Sequence, residues 1–448
     1  MDKLRFSERL KLAQKYLVKN HRVERNAFLP SEEITRLQFK AIKKLINLAY
    51  EKTSFYRSKY KRAGIHPSDI RTFDDFQKIP TVTKDEIIAH YNDCIVRREQ
   101  NARQICSYSS GSSGKVLKVM LDPKFFIDEA LVTMRMYRTV CDYRPFDRLV
   151  YVYTSEYPFR SIGGLYRSNF VSSLASDTAL LGLINKVKPT FLAGYPSVLE
   201  GLVQIMNHYP LRSPLKAVFT NSEHSSQIQR DRLAEALGAP VFDEYSSEEL
   251  SRIAFQCKER RYHIQEDCSY IEVLREDCDL PVENGQVGEI VGTCLINNIM
   301  PFIRYRQGDS GSIISSDCPC GQTGRILSQL DGRMNSSFVF RGQVIPSGKL
   351  LDWTYKIILE FKIKVEAFRL IQTDAGSCCL ELKPEFGSTI TDRERQIIQL
   401  SFSEFLSELG VRAELNISIV TSIPRSATGK RIPIVNAYSQ AGMNQLAL

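Results

Sequence analysis

The chain has 448 residues, a formal net charge of +9, 43% hydrophobic and 25% charged side chains, the composition of a globular protein with ample core. No apolar run approaches the roughly 20 residues that span a bilayer, and the start, MDKLRFSERLKLAQK, lacks the uninterrupted apolar stretch of a secretion signal, so a cytoplasmic protein without a membrane span is expected. Basic residues are spread along the length and mixed with acids, which argues against a nucleic-acid partner, and eleven cysteines are too few for a disulfide scaffold and are expected mostly reduced.

In chain order, a helix is expected after Pro30, with Ser31 as its cap, Glu32 and Glu33 in its first turn, and Leu37, Ala41, Leu45 and Leu48 on one face. The next passage, TSFYRSKYKRAGIHPSDI, reads as loop-rich. Then comes SYSSGSSGK, in which Ser109, Ser110, Gly111, Ser112, Ser113 and Gly114 precede Lys115. Glycine permits close backbone approach, serine adds donors and lysine adds charge, a set suited to phosphate oxygens. A flexible surface turn is the other reading. The nucleoside-triphosphatase loop is excluded, because Ser109 stands where glycine is needed and Val116 follows the lysine.

From about Arg148 the pattern alternates strand and helix. RLVYVYTS, LKAVFTN and APVFDEYSS read as strands, and SSQIQRDRLAEALG as a helix closed by Gly238. The expected fold class is α/β, with βαβ sheets in a large N-terminal domain, residues 1–331, and ligands at the strand ends. FLAGYPSVLEGL offers Tyr195 and Pro196 as pocket-lining residues. Beyond Gly332, VEAFRLIQT, SCCLELKP, a helical TDRERQIIQLSFSEFLSELG and AELNISIV form a small α+β domain, residues 332–448.

Four further segments have chemistry-bearing composition: DEYSSEE, RYRQGDSG, GRMNSSFVFRG and IPRSATGKR. In this order, after the serine-glycine loop, they resemble the adenylate-forming enzymes. The segment LAYEKTSFYRSKYKRAGIHPSDIRTFDDFQKIPTVTKDEI is similar to the N-terminal region of the phenylacetate-CoA ligase family, which includes capsule-biosynthesis and deazaflavin-adenylating members. The resemblance runs from about residue 40 to 435. It implies that the loop from Ser109 to Lys115 holds the ATP β- and γ-phosphates and that Tyr245 stacks on adenine. Ser222, Glu223, Asp243, Glu244 and Ser246 would lie around the nucleotide. Glu249 would bind Mg²⁺, Asp309 would accept both ribose hydroxyls, and Arg333 would support ribose and phosphate near a hinge. Lys430 would be the catalytic lysine of a mobile C-terminal domain, stabilising charge at the α-phosphate.

Cys257, His263, Cys318 and Cys320 make a three-thiolate, one-imidazole set suited to structural Zn²⁺. Unrelated thiols and a surface histidine are the alternative, since this spacing is less specific than paired knuckles. Cys378 and Cys379 are expected on opposite faces of a strand and so not as a metal pair.

Several positions depart from the family pattern. Ser246 stands where glycine is usual, Glu248 replaces a small hydroxyl residue, Asn335 and Ser336 stand where aspartates are favoured, and Gly348, Lys349 and Leu350 alter the region near a CoA arm. The expected function is ATP-dependent activation of an aryl or similarly apolar carboxylic acid, then transfer to CoA. Transfer to an amine, a hydroxyl or a carrier-protein thiol is the alternative, and a non-catalytic ligand-binding relative the third. A homodimer is compatible with the sequence.

Overall fold

The computed structural model describes residues 5–96, 104–109, 115–158, 160–426 and 429–438. An 11-stranded sheet forms its centre. Five parallel strands occupy one side, in the order Arg167–Ser172, Arg148–Tyr153, Phe191–Gly194, Ala217–Asn221 and Val241–Ser247. An antiparallel run continues from there through Ser251–Gln256, Tyr262–Ile264, Ile326–Arg333, Tyr305–Ile314 and Gly288–Cys294 to Ser269–Leu274.

The parallel strands are apolar throughout because both faces are covered. Val150, Leu192 and Val218 pack with Leu180, Leu199 and Leu233 from the helices Asp177–Val187, Pro196–Met206 and Gln227–Leu237. Their neighbours Tyr151, Phe191 and Phe219 turn to the other face, where the helix Pro123–Val140 supplies Phe125, Phe126 and Tyr137. The side-chain period of two thus divides one sheet between two cores.

The helix Gln227–Leu237 starts at Ser226, whose hydroxyl accepts from the Gln229 amide, and ends at Gly238 with φ +63°. The helix Ser31–Lys52 includes its expected cap, Ser31, as its first residue, so the cap position falls one residue earlier at Pro30, with no side-chain cap bond. The passage expected as loop is instead the helix Ser54–Arg62 followed by the 3₁₀ turn Pro67–Asp69. Thr53 caps that helix, and Phe55, Tyr56 and Tyr60 anchor it, an aromatic pattern too short to register as periodicity. An N-terminal helix, Phe6–Asn26, was not distinguished in the sequence, and its interior contact is a single buried residue, Leu12.

From Phe338 onward the apolar residues gather in a core of their own, with Trp353, Phe368, Leu380 and Phe402 among its members. Four strands, ordered Glu414–Ile419, Ser377–Pro384, Val365–Gln372 and Ile434–Asn436, pack with the helices Ser347–Glu360 and Asp392–Glu408. Cys378 is buried and Cys379 half-buried, consistent with opposite faces. This part touches the large sheet's helices through polar contacts. Tyr355 donates 2.9 Å to Glu200, and Gln204 donates 2.7 Å to the Glu366 carbonyl. Among the described residues no helix is long and apolar enough to cross a membrane.

Candidate active site

A cavity of about 1180 Å³ opens at the carboxyl ends of the parallel strands, where an open α/β sheet places its ligands. The strand Ala217–Asn221 leads into Ser222, whose φ of +64° turns the chain under the cavity. The strand Phe191–Gly194 leads into Tyr195, and Pro196 opens the helix behind it. The strand Val241–Ser247 brings Ser246 and then Glu248 and Glu249 to the wall.

At one end, charged groups on the antiparallel strands converge. Asp309 is 5% exposed, accepts 2.7 Å from the Tyr245 hydroxyl, and lies 3.0 Å from the Arg333 guanidinium. Arg333 also donates 2.6 Å to the Gln307 carbonyl, which fixes its direction from the end of its strand. Asp309 and Arg333 are paired neighbours in the sheet register. Glu249 is buried at the cavity wall and accepts 3.2 Å from the Tyr305 hydroxyl. Lys84, given no role in the sequence reading, donates 3.0 Å to Ser109, and burial lowers its pKa while Glu249 opposes that shift.

Lys430 comes from the far end of the chain. Its ammonium donates 2.9 Å to the Ser222 carbonyl and sits 4.8 Å from the centre of the Tyr195 ring. Burial lowers its pKa, while the carboxylates of Glu223 and Glu248 pull the other way. Glu223 accepts from the Ser197 amide at 3.0 Å and hydroxyl at 2.9 Å, and burial raises its pKa from 4.5 to about 7. The imidazole of His224 is driven down to about 4, by burial first and by Arg230 second.

The other end of the cavity is walled by tyrosines, including Tyr137, Tyr151, Tyr153 and Tyr157, with Phe125 and Phe126 from the long helix. Glu129 and Arg252 stand among them, and sequence reasoning missed both because nothing in their local pattern separates them from helix and strand surface.

The structure therefore brings Ser109, Lys115, Ser222, Ser246, Glu249, Arg333, Tyr195 and Lys430 to one cavity. Ser110, Gly111, Ser112, Ser113 and Gly114 lie outside the described residues. Lys115 pairs with Asp85 at 2.8 Å on the exposed rim. Glu223, Asp243, Glu244, Tyr245 and Asp309, all assigned to the nucleotide, stand behind the cavity lining, as does Pro196, expected to line the pocket. Asp243 is held by Thr220, Ser225 at 3.2 Å and Tyr262 at 2.7 Å, and Glu244 is paired with Arg252.

A second constellation lies beyond the sheet. The ligand atoms of Cys257, His263, Cys318 and Cys320 all fall within 4.8 Å of one another. His263 donates from Nδ1 to the Gly324 carbonyl at 3.2 Å, which leaves Nε2 as the free lone pair, facing Cys320 at 3.3 Å. Three sulfurs and one oriented imidazole fit a closed tetrahedral Zn²⁺ site. Such a metal would tie the Ser251–Gln256 and Tyr262–Ile264 hairpin to the loop that feeds the strand Ile326–Arg333.

No family model matches the chain. It is 25% identical over 413 residues to the phenylacetate-coenzyme A ligase of Escherichia coli (strain K12), covering 88% of this chain and 93% of that protein. Against the phenylacetate-coenzyme A ligase of Thermus thermophilus it is 27% identical over 335 residues, 70% of this chain and 73% of the relative. Its fold matches a 2-hydroxyisobutyryl-CoA ligase, solved in the postadenylation state, with a TM-score of 0.77 at 20% identity over 94% of both chains. In sequence the chain is thus similar to the phenylacetate-coenzyme A ligases over most of its length, and in fold it matches an acyl-CoA ligase solved with an acyl-adenylate.

Proposed function

We propose that the protein joins a carboxylic acid to AMP, releasing pyrophosphate, and then passes the acyl group to the thiol of coenzyme A. A carboxylate is a poor acyl donor because oxide would have to leave, whereas an acyl-adenylate loses AMP. The observation that carries this reading is the position of Lys430, held over Tyr195 between the charged end of the cavity and its aromatic end. A cation there meets the bond-forming carboxylate oxygen and the α-phosphate, where negative charge builds.

In this reading, Asp309 accepts the ribose hydroxyls once Tyr245 and Arg333 release part of their hold on it. Arg333 then supports the phosphate side. Glu249 offers a carboxylate oxygen to Mg²⁺, which needs few protein ligands beside phosphate oxygens and supplies charge neutralisation on the triphosphate. Lys84 joins Lys115 and the serine-glycine loop as a phosphate contact, since it already reaches Ser109. The tyrosine-walled end receives the acid, and Zn²⁺ at the cysteine-histidine cluster has a structural role.

The part of the chain from residue 332 onward turns as a small domain between the two half-reactions, the usual way such a lysine is withdrawn before a thiol approaches. Gly332 lies at the turning point with φ +82°, where a β-carbon would fall 2.7 Å from the Ser347 hydroxyl. Acid-dependent exchange of label between pyrophosphate and ATP, with CoA absent, tests adenylation, and thioester formation on adding CoA tests transfer. Exchange with no acid of a broad panel, while ATP still binds, would contradict the proposal.

A further inference from the structure

The aromatic end of the cavity is not apolar at its floor. Glu129 lines it while only 7% exposed, accepting 2.8 Å from the Ser251 hydroxyl and a further bond from Tyr157. Arg252 also lines it, with Nε 3.6 Å from Glu129 and Nη1 donating to Glu244. Glu244 is 2% exposed, and its other oxygen, Oε2, has no hydrogen-bond partner in the protein. Two buried carboxylates thus share one guanidinium. Glu248 adds a third carboxyl on the same cavity wall, open to the cavity rather than sealed in the core.

This arrangement is costly for a hydrocarbon acid. An apolar group laid here would strip water from the open Glu248 carboxylate and return no hydrogen bond to it or to Glu129. A cation would neutralise the excess negative charge, and the tyrosine faces around it favour a positive group as well. We propose that the acid activated here carries a cationic amino group remote from its carboxylate, bound by Glu129 and Glu248, with its ring or chain held among the tyrosines. The proposal rests on the acid-activating function above and names the class of acid. Glu129 and Glu248 are then specificity-determining residues, while Lys430 works at the other end of the acid. Desolvation within the cavity, with the Glu129 and Glu249 carboxylates adding to it, raises the Glu248 carboxyl to about 7 against a Ser107 hydrogen bond and the Arg252 charge.

The test is a matched pair of acids of similar shape, 4-(aminomethyl)phenylacetate and 4-ethylphenylacetate, in ATP/pyrophosphate exchange with the full chain. The expected result is a kcat/KM ratio favouring the amine by about 100-fold or more, a lower bound beside the roughly 10⁴–10⁵-fold by which a site built to bond a polar group rejects an analogue lacking it. Glu248→Ser, at an open position that tolerates a small residue, should cut that ratio about tenfold, and Glu129→Gln should cut it further. Exchange with both acids at equal rates, or preference for the ethyl compound, would overturn the inference and leave adenylation standing. If neither acid supports exchange, the function proposed above fails for these acids, and thermal shift decides the pocket separately. A larger rise in Tm with the amine, lost in Glu248→Ser, supports the inference, and equal shifts overturn it.

Discussion

The Lys430 ammonium lies 4.8 Å from the centre of the Tyr195 ring, and the next residue's amide, Arg431 N–H, donates 3.3 Å to the Ser197 hydroxyl 234 residues away in the chain. The ring is itself fixed, 3.0 Å from the Thr154 hydroxyl and edge-on to Tyr153 at 5.1 Å. The lysine therefore rests on an aromatic ring held by the large sheet, through Thr154 and Tyr153.

Gly429, immediately before that lysine, makes the docking possible. Its φ is +78°, and a β-carbon there would come 3.1 Å from the Ser173 carbonyl and 3.2 Å from Leu174. Gly429→Ala introduces left-handed strain of about 1–2 kcal/mol in the docked state. Adenylation is expected to slow about tenfold with Tm nearly unchanged, as measured by exchange and by calorimetry. An unchanged exchange rate would show that this contact does not hold the lysine in place.

Glu223 gives a pH signature. Burial raises its pKa from 4.5 in the unfolded chain to about 7 in the fold, so the native state binds the proton more tightly. Its contribution to stability is then complete below about pH 4.5 and is lost as pH rises to about 7. Glu223→Gln imitates the protonated form and keeps an acceptor for Ser197. The Tm of the variant relative to the parent should climb between pH 4.5 and 7, and a flat difference across that window would contradict the assignment.

The cysteine-histidine cluster should hold about one Zn²⁺ per chain, since four ligands close its coordination. Chelation, or Cys320→Ser, is expected to lower Tm measurably while exchange at low temperature continues, because the cluster braces the loop ahead of the strand Ile326–Arg333 and does not line the cavity. Protein grown with zinc that contains none by metal analysis would overturn this site.

Much of this was readable from sequence where local chemistry is distinctive. The strand Val241–Ser247 and the helix closed by Gly238 have patterns that need no distant partner to interpret, whereas the four metal-ligand candidates had the right chemistry but needed the fold to bring their two pairs together. Glu129 and Arg252 were invisible because their meaning is purely tertiary. One lies mid-helix and the other mid-strand, and only the folded chain sets them 3.6 Å apart. Asp243 shows the reverse case. A chemistry-bearing motif placed it with the nucleotide, yet its partners Ser225 and Tyr262 hold it in a polar knot beneath the site.

The most direct measurement is acid-dependent ATP/pyrophosphate exchange by the parent and by Lys430→Ala, with ATP binding followed in parallel. Loss of this one donor should slow exchange at least about 100-fold, roughly 3 kcal/mol of transition-state stabilisation, while ATP affinity changes little. Equal exchange by the two proteins would contradict the central claim that Lys430 forms the adenylate.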